Sequence, residues 1–196
     1  MLRAFCRARS GLVALLAASP LLLAEQASGQ VPEADIARLV GALKGGDNAA
    51  ALEALDATSR AIWSRTALAF TKAVVVKDRG VRHGEQQPRD NAVFPPTGEI
   101  NVYTEFIGYG WRPDGRLFAL DVTGKAEILA PDGRTVGVID YGKLMLKTPS
   151  RSRDGSLTFS GAFKDLPEGG YKFRIVLDDA VTGKSAETTV AFVVRK

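Results

Sequence analysis

The residues best suited to ligand contact lie close together in one short stretch. Within ten residues the chain carries four aromatic rings and a guanidinium: Tyr103, Phe106, Tyr109, Trp111 and Arg112. Gly108 and Gly110 flank Tyr109, which predicts that a strand ends here and that Tyr109 and Trp111 lie on a loop. Exposed rings on a loop can stack on a sugar or hold a peptide. Tyr109, Trp111 and Arg112 are therefore candidate ligand-binding residues; the alternative is that Trp111 folds back over the core.

Three further residues could support hydrolysis: Glu105, Asp121 and His83. Two carboxylates on neighbouring strands can act as acid and base when they are held about 5 to 10 Å apart, and a histidine can activate a nucleophile within hydrogen-bond reach. Alternatively, both carboxylates face water or pair with arginine, and His83 is solvated in an exposed loop spanning 82–90. No serine has glycine two residues away on both sides, the spacing of a nucleophile elbow. We therefore assign no catalytic residue.

The composition excludes several classes of protein. One cysteine and one histidine in 196 residues rule out a disulfide framework and a Cys/His zinc site, so we expect no metal and no cofactor. Basic residues are scattered along the chain rather than gathered in a stripe, which argues against a nucleic-acid partner. Asp178 and Asp179 end a predicted strand before a turn, where acidic side chains usually bond to the turn's own amides.

Residues 1–29 have the pattern of a secretory signal peptide. Three arginines precede an apolar run, Gly11 to Ala24, and the small residues Ala27 and Gly29 precede a predicted cleavage site before Gln30. The apolar run is short for a bilayer span and contains Pro20. The sequence therefore predicts a periplasmic or secreted protein with no stable membrane span after the signal is removed.

Residues 30–66 are predicted to form a helical hairpin. The first helix runs from Pro32 to Lys44 and ends at two glycines, and Asp47 caps a second helix that runs to about Arg65. Each helix carries an apolar stripe at helical spacing. The stripes consist of Ile36, Leu39, Val40 and Leu43 in the first helix, and Leu52, Leu55, Ile62 and Trp63 in the second. We expect these stripes to pack onto the following domain or onto a partner.

Residues 67–196 are predicted to form a β-domain. About seven segments alternate apolar and polar residues, and Gly- and Asp-containing turns separate them. No helical pattern lies between them, so we expect antiparallel pairing. Gly124 interrupts one strand and predicts a bulge there. This spacing indicates a β-sandwich, with a closed barrel as the alternative.

The last two strands resemble those of bacterial immunoglobulin-like domains. The resemblance rests on three segments: Leu166–Tyr171, which carries a Pro and Gly corner before an aromatic; Leu177–Asp179 followed by Thr182–Lys184; and Phe192–Val194. It implies an immunoglobulin-like sandwich. Together with the predicted hairpin, the expected fold is mainly β: a single antiparallel immunoglobulin-like sandwich preceded by a short α-helical hairpin. The resemblance implies no chemistry. The chain has no cysteine pair, so an antibody-type domain is excluded.

Together these patterns favour a secreted or periplasmic, non-enzymatic binding protein that contacts a protein or glycan partner. The first alternative is a carbohydrate-binding module that uses Tyr109 and Trp111. The second is a hydrolase built on Glu105, Asp121 or His83.

Overall fold

The computed structural model describes residues 33–80 and 82–196, so the predicted signal peptide and Pro32 lie outside the described residues. The described elements are α1 (Glu33–Lys44), α2 (Asn48–Arg65), β1 (Ala69–Val76), β2 (Val93–Phe94), β3 (Gly98–Ile107), β4 (Arg112–Asp114), β5 (Leu117–Leu129), β6 (Thr135–Thr148), β7 (Gly155–Phe163), β8 (Gly169–Asp179) and β9 (Ser185–Val194). The predicted order, a helical hairpin followed by a mainly β domain, is confirmed.

Local hydrogen bonds explain the turn between the two helices. Gly46 adopts φ 71°, and its N–H donates to the carbonyl of Leu43 while the Asp47 N–H donates to Ala42, at 3.3 and 3.1 Å. These two bonds form a Schellman motif, which glycine permits because it lacks a Cβ. The Asp47 carboxylate then accepts from the N–H of Ala50 at 3.0 Å and caps α2. The predicted glycine stop and Asp47 cap are confirmed.

The strands form two sheets. One sheet has the order β1-β3-β7, and the other has the order β2-β9-β8-β5, with β4 and β6 also paired to β5. In a sandwich of the immunoglobulin type, strands A, B and E share one sheet and strands C, F and G share the other. Here β1, β3 and β7 take the places of A, B and E, and β5, β8 and β9 take the places of C, F and G. The expected antiparallel pairing is confirmed for the predicted strands. The two-residue strand β2, which was not among the predicted segments, pairs in parallel with β9. Strands β3 to β8 lie between β2 and β9 in the sequence, so the chain returns to β2 without a helical crossover between the two parallel strands.

The core lies between the sheets and is rich in aromatic side chains. The apolar faces of β3, β5, β7 and β8 meet there, with Val102, Phe159 and Phe173 almost completely buried. A Cβ on Gly124 would come within 2.8 Å of the Phe159 ring, so glycine lets this ring approach β5. The pairing of β5 with β6 shifts register between Gly124 and Lys125, which confirms the predicted bulge.

A buried tyrosine ties the start of β8 to the preceding corner. The Tyr171 hydroxyl donates to the carbonyl of Pro167 at 2.8 Å, and the Tyr171 ring stacks on Phe192 with ring centroids 5.5 Å apart. A tyrosine at the start of this strand, bonded to the backbone a few residues upstream, is the tyrosine corner of immunoglobulin-like sandwiches. The Pro and Gly corner noted in the sequence is thus part of a defined structural device.

The hairpin packs only in part as expected. Ala51, Ala54 and Thr58 of α2 are buried, whereas Leu52 is 67% exposed and Leu55 is also exposed. Of the two expected outcomes, packing onto the β-domain holds for Trp63, which contacts the core, but not for Leu52 and Leu55. Small side chains let two helices approach closely, so the alanine face of α2 packs against α1 and the leucines are left in solvent.

Candidate functional site

A cleft of about 920 Å³ opens at one end of the sandwich. It forms where the last turns of α2 meet the β3–β4 loop, the β6–β7 loop and the β8–β9 turn. Its lining combines aromatic rings, arginines and short polar side chains, including Asp56, Arg60, Trp63, Tyr109, Trp111, Phe118, Arg151, Ser152, Arg153 and Thr182. We call this site the end cleft.

Tyr109 forms the floor of the end cleft. It is 1% exposed, and its hydroxyl donates to the carbonyl of Ser152 at 2.9 Å, as does the indole Nε1 of Trp111. The Trp63 Nε1 donates to the carbonyl of Tyr109 at 2.7 Å. Burial, reinforced by the negative charge of Asp154, raises the pKa of Tyr109 far above its ordinary value, so this hydroxyl stays a hydrogen-bond donor.

Tyr109 and Trp111 lie on a loop, as predicted, but they do not form a flat platform. Their ring centroids are 5.6 Å apart and the ring planes meet at 69°. Trp63 packs edge-on against the other side of Tyr109, at 5.1 Å and 87°. The three rings thus interlock, with Tyr109 buried and Trp63 and Trp111 partly buried at the wall of the cleft.

Asp179 holds the loop that carries these rings. Its carboxylate is 1% exposed and accepts hydrogen bonds from the N–H of Gly110 at 2.7 Å, the N–H of Val181 at 2.9 Å and the hydroxyl of Thr182. The expected bonding to the turn's own amides is therefore confirmed for Asp179, which also reaches across to the β3–β4 loop. A Cβ on Gly110 would lie 2.6 Å from Thr182, so glycine is needed for this close contact.

Lys184 attaches the helical hairpin to the same end of the sandwich. Its Nζ donates to the carbonyls of Ser64, Thr66 and Gly108 at 3.0, 2.6 and 3.0 Å. An ammonium group has three N–H donors, and here all three are used. The positive charge also lies beside the C-terminal carbonyls of α2, where the helix dipole favours a cation.

Three arginines surround the end cleft. The Arg151 guanidinium lies 4.8 Å from the centroid of the Phe118 ring, and that of Arg153 lies 5.9 Å from Trp63. One carboxylate, Asp56, pairs with Arg60 and lies 3.9 Å from Arg153. Three guanidinium groups against one carboxylate give the lining a net positive charge. The cleft is therefore suited to a ligand with negative charge and apolar groups.

The third candidate from the sequence, Arg112, is not among the residues that line the cleft. Its Nε lies 3.8 Å from Asp121, which also pairs with Lys143 at 2.8 Å. Asp121 projects from the outer face of β5, while Glu105 projects from the outer face of β3 in the opposite sheet. The structure therefore does not bring Glu105 and Asp121 together as an acid–base pair.

Glu105 belongs to a separate polar cluster. It accepts from Lys72 Nζ at 3.1 Å and from the Tyr103 hydroxyl at 3.0 Å, and the same hydroxyl accepts from the Gly84 N–H. Burial alone would raise the pKa of Glu105, but these hydrogen bonds and the charges of Lys72 and nearby His83 hold it below its ordinary value. His83 itself is exposed. The cluster keeps Glu105 ionised, which does not suit a general acid.

Several lining residues were not predicted from the sequence to contact a ligand: Arg60, Trp63, Phe118, Arg151 and Arg153. Arg151 and Arg153 lie two residues apart and close to Lys147, and this local group of basic residues was a usable signal. Trp63, in contrast, looked like part of a helix stripe. Nearly 90 residues separate it from Arg151, so local pattern could not place the two beside one cleft.

Two further properties concern only the part of the chain that the structure describes. There, no group of three or more His, Cys, Asp or Glu side chains comes together in an arrangement that could hold a metal ion. Among the described helices, none has the length and apolar character needed to cross a bilayer.

Comparisons with known proteins place the chain in no family: no protein-family model matches it, and no curated protein does. Solved structures similar to it include Bacteroides uniformis β-glucuronidase, with 12% identity, TM-score 0.39 and coverage of 66% of this chain but 14% of the enzyme. An immunoglobulin-like protein from Pseudomonas aeruginosa has 12% identity and TM-score 0.35, covering 66% of this chain and 98% of its own. The PKD domain of an M14-like peptidase from a Thermoplasmatales archaeon has 12% identity and TM-score 0.33, and the match covers 67% of this chain and 98% of the PKD domain. At these scores no functional conclusion follows, and the chain spans a small part of the glucuronidase.

Proposed function

We propose that this protein is exported and acts in the periplasm or outside the cell as a non-enzymatic binding protein. The pattern of residues 1–29 supports export. The end cleft supports binding, because loops held on a rigid sandwich are a common place for ligand contact.

The observation that carries the binding proposal is the combination of three arginines and partly exposed rings around one cleft. Arginine and tryptophan are the residues that most often dominate protein–protein interfaces, because each combines polar contacts with a large apolar surface. Guanidinium groups also bind carboxylates through paired hydrogen bonds. We therefore assign the end cleft to an acidic segment of a protein partner.

The lining also supports a non-enzymatic role. Among the described residues that line the cleft there is no histidine, and the carboxylate of Asp56 is already engaged by arginine. The hydroxyl of Thr182 does donate to a carboxylate, that of Asp179, but this carboxylate is buried and also accepts two backbone N–H groups. It holds the loop in place and is not a free base for a nucleophile.

A carbohydrate-binding module is the second candidate, and the partly exposed Trp111 ring in the cleft favours it. Sugars stack on flat, open aromatic faces. The 69° angle between Tyr109 and Trp111 leaves one ring rather than two for such stacking, so we rank an acidic glycan below an acidic peptide.

Tryptophan fluorescence tests both candidates directly, because Trp63 and Trp111 are the two tryptophans of the chain and both line the end cleft. The protein is titrated with poly-L-glutamate as the acidic peptide, polygalacturonate as the acidic glycan and poly-L-lysine as the cationic control. We expect saturable binding of poly-L-glutamate that weakens as salt increases.

Paired charge removals locate the binding site. We expect the double variant Arg151→Ala, Arg153→Ala to weaken poly-L-glutamate binding about tenfold or more. The matched control removes two charges at the opposite end of the sandwich, Arg134→Ala with Lys164→Ala, and should leave binding within about twofold of the unmodified protein. Equal losses in the two variants, or no binding of either anionic polymer, would show that the cleft is not the ligand site. Stronger binding of polygalacturonate would favour the glycan.

A further inference from the structure

The helical hairpin exposes an apolar face that nothing in the described structure covers. Of the thirteen large apolar side chains exposed in the described residues, six belong to this hairpin. We call these six the hairpin face: Ile36, Val40 and Leu43 of α1, and Leu52, Leu55 and Ile62 of α2. Leu43 and Leu52 are 60% and 67% exposed, so most of the surface of these two large apolar side chains contacts solvent.

Helical geometry places all six side chains on one side of the hairpin. The packing residues of α2 are Ala51 and Ala54, and Leu52 and Leu55 each follow one residue later. In α1, Leu39 is partly buried and Val40 follows it. One residue is a rotation of about 100° about the helix axis. In each helix the exposed stripe is therefore rotated by about 100° from the side that contacts the other helix. Because the two helices run in opposite directions, these two rotations have opposite senses when viewed along one axis, and both stripes end on the same side of the hairpin.

The size of this face suits a specific interface. The six side chains expose roughly 600 Å² of mostly apolar surface, the upper end of the largest patch found on ordinary monomers. A stable protein–protein interface buries about 800 Å² on each partner. The apolar centre of the hairpin face together with its polar rim reaches that size.

Charges at the two ends of α1 indicate what covers the face. Glu33 lies three residues before Ile36 and Lys44 lies four residues after Val40, so both flank the apolar stripe, at opposite ends of the helix. A two-fold axis that sets α1 antiparallel to α1 of a second copy brings Glu33 of each chain opposite Lys44 of the other. The pattern is therefore self-complementary, which a two-fold symmetric interface requires.

We propose that two copies of this chain associate through the hairpin face and close a four-helix bundle, with α1 antiparallel to α1 of the second copy. Two helices with one uncovered apolar side form half of such a bundle. Asp56, Arg60 and Trp63 project toward the end cleft from a different side of α2, so the dimer leaves both clefts open. The association is independent of what the cleft binds.

Sedimentation equilibrium of the purified protein over a range of concentrations tests the proposal. We expect a mass that rises with concentration to twice that of the chain. Leu55→Glu should raise the dimer dissociation constant about a hundredfold or more, because the two-fold axis buries the new charge twice. Val138→Glu is the matched control, since Val138 is equally exposed but lies on β6, and its dissociation constant should match that of the unmodified protein.

Charge exchange tests the arrangement of the helices. Glu33→Lys alone and Lys44→Glu alone should each weaken association, because each sets like charges opposite one another, and the two together should restore it. Unchanged circular dichroism spectra confirm that each variant is folded. A chain that stays monomeric at every concentration, including one that binds phosphatidylglycerol vesicles instead, overturns the proposal. Disruption by Val138→Glu as strong as by Leu55→Glu, or failure of the double exchange to restore association, overturns it as well.

Discussion

Replacing Asp179 with alanine should destabilise the protein strongly, whereas replacing the adjacent Asp178 should not. The Asp179 carboxylate is buried and accepts three hydrogen bonds, two of them from backbone N–H groups. Alanine would leave the N–H groups of Gly110 and Val181 without an acceptor, at about 1–3 kcal/mol for each buried donor. Some water entry offsets this loss, so we expect about 3–5 kcal/mol in the free energy of unfolding.

Chemical denaturation followed by tryptophan fluorescence measures this difference, and the melting temperature should fall by roughly 10 °C for a chain of this size. Asp178 is exposed, so Asp178→Ala provides the matched control. Asp179→Asn should lose about half as much, since one oxygen remains as an acceptor while the amide N–H₂ faces a second donor. If Asp179→Ala and Asp178→Ala differ by less than about 1 kcal/mol, the assignment of Asp179 as the anchor of the loop is refuted.

Two further predictions concern the attachment of the hairpin and the dependence of stability on pH. Lys184→Met removes the cation that joins α2 to the β8–β9 turn, so it should cost about 1–2 kcal/mol and speed amide hydrogen exchange in the last turn of α2. Lys172 is exposed on β8, so Lys172→Met is the matched control and should change neither the stability nor the amide exchange of α2. Hydrogen bonds from Lys125 and Arg174 hold the pKa of Glu127 below its ordinary value of 4.5, so its ionised form stabilises the fold above that pH. The unmodified protein should therefore be more stable than Glu127→Gln at neutral pH, and this advantage should shrink as the pH falls through the lowered pKa; an advantage that persisted unchanged in acid would contradict the assignment.

Features with a local cause could be predicted from the sequence. Gly46 and Asp47 set the end of one helix and the start of the next through bonds that span no more than five residues. The alternation along β5 and β8 predicted two-sided strands because neighbouring residues in a strand point to opposite faces. Gly124 indicated the bulge because it broke that alternation.

The tertiary structure alone decided which side chains share a site. The sequence marked Tyr109 and Trp111 as a loop pair, but burial depends on contacts with Trp63 and Ser152, which are more than 40 residues away in either direction. The alternation along β8 placed Asp179 on the inward face, but it did not indicate the hydrogen bond from the N–H of Gly110, which lies 69 residues away. The sequence also could not tell that the alanines of α2 pack inward while Leu52 faces solvent. Each of these outcomes depends on which distant surface lies opposite a residue, and the pattern of residues along one segment does not contain that information.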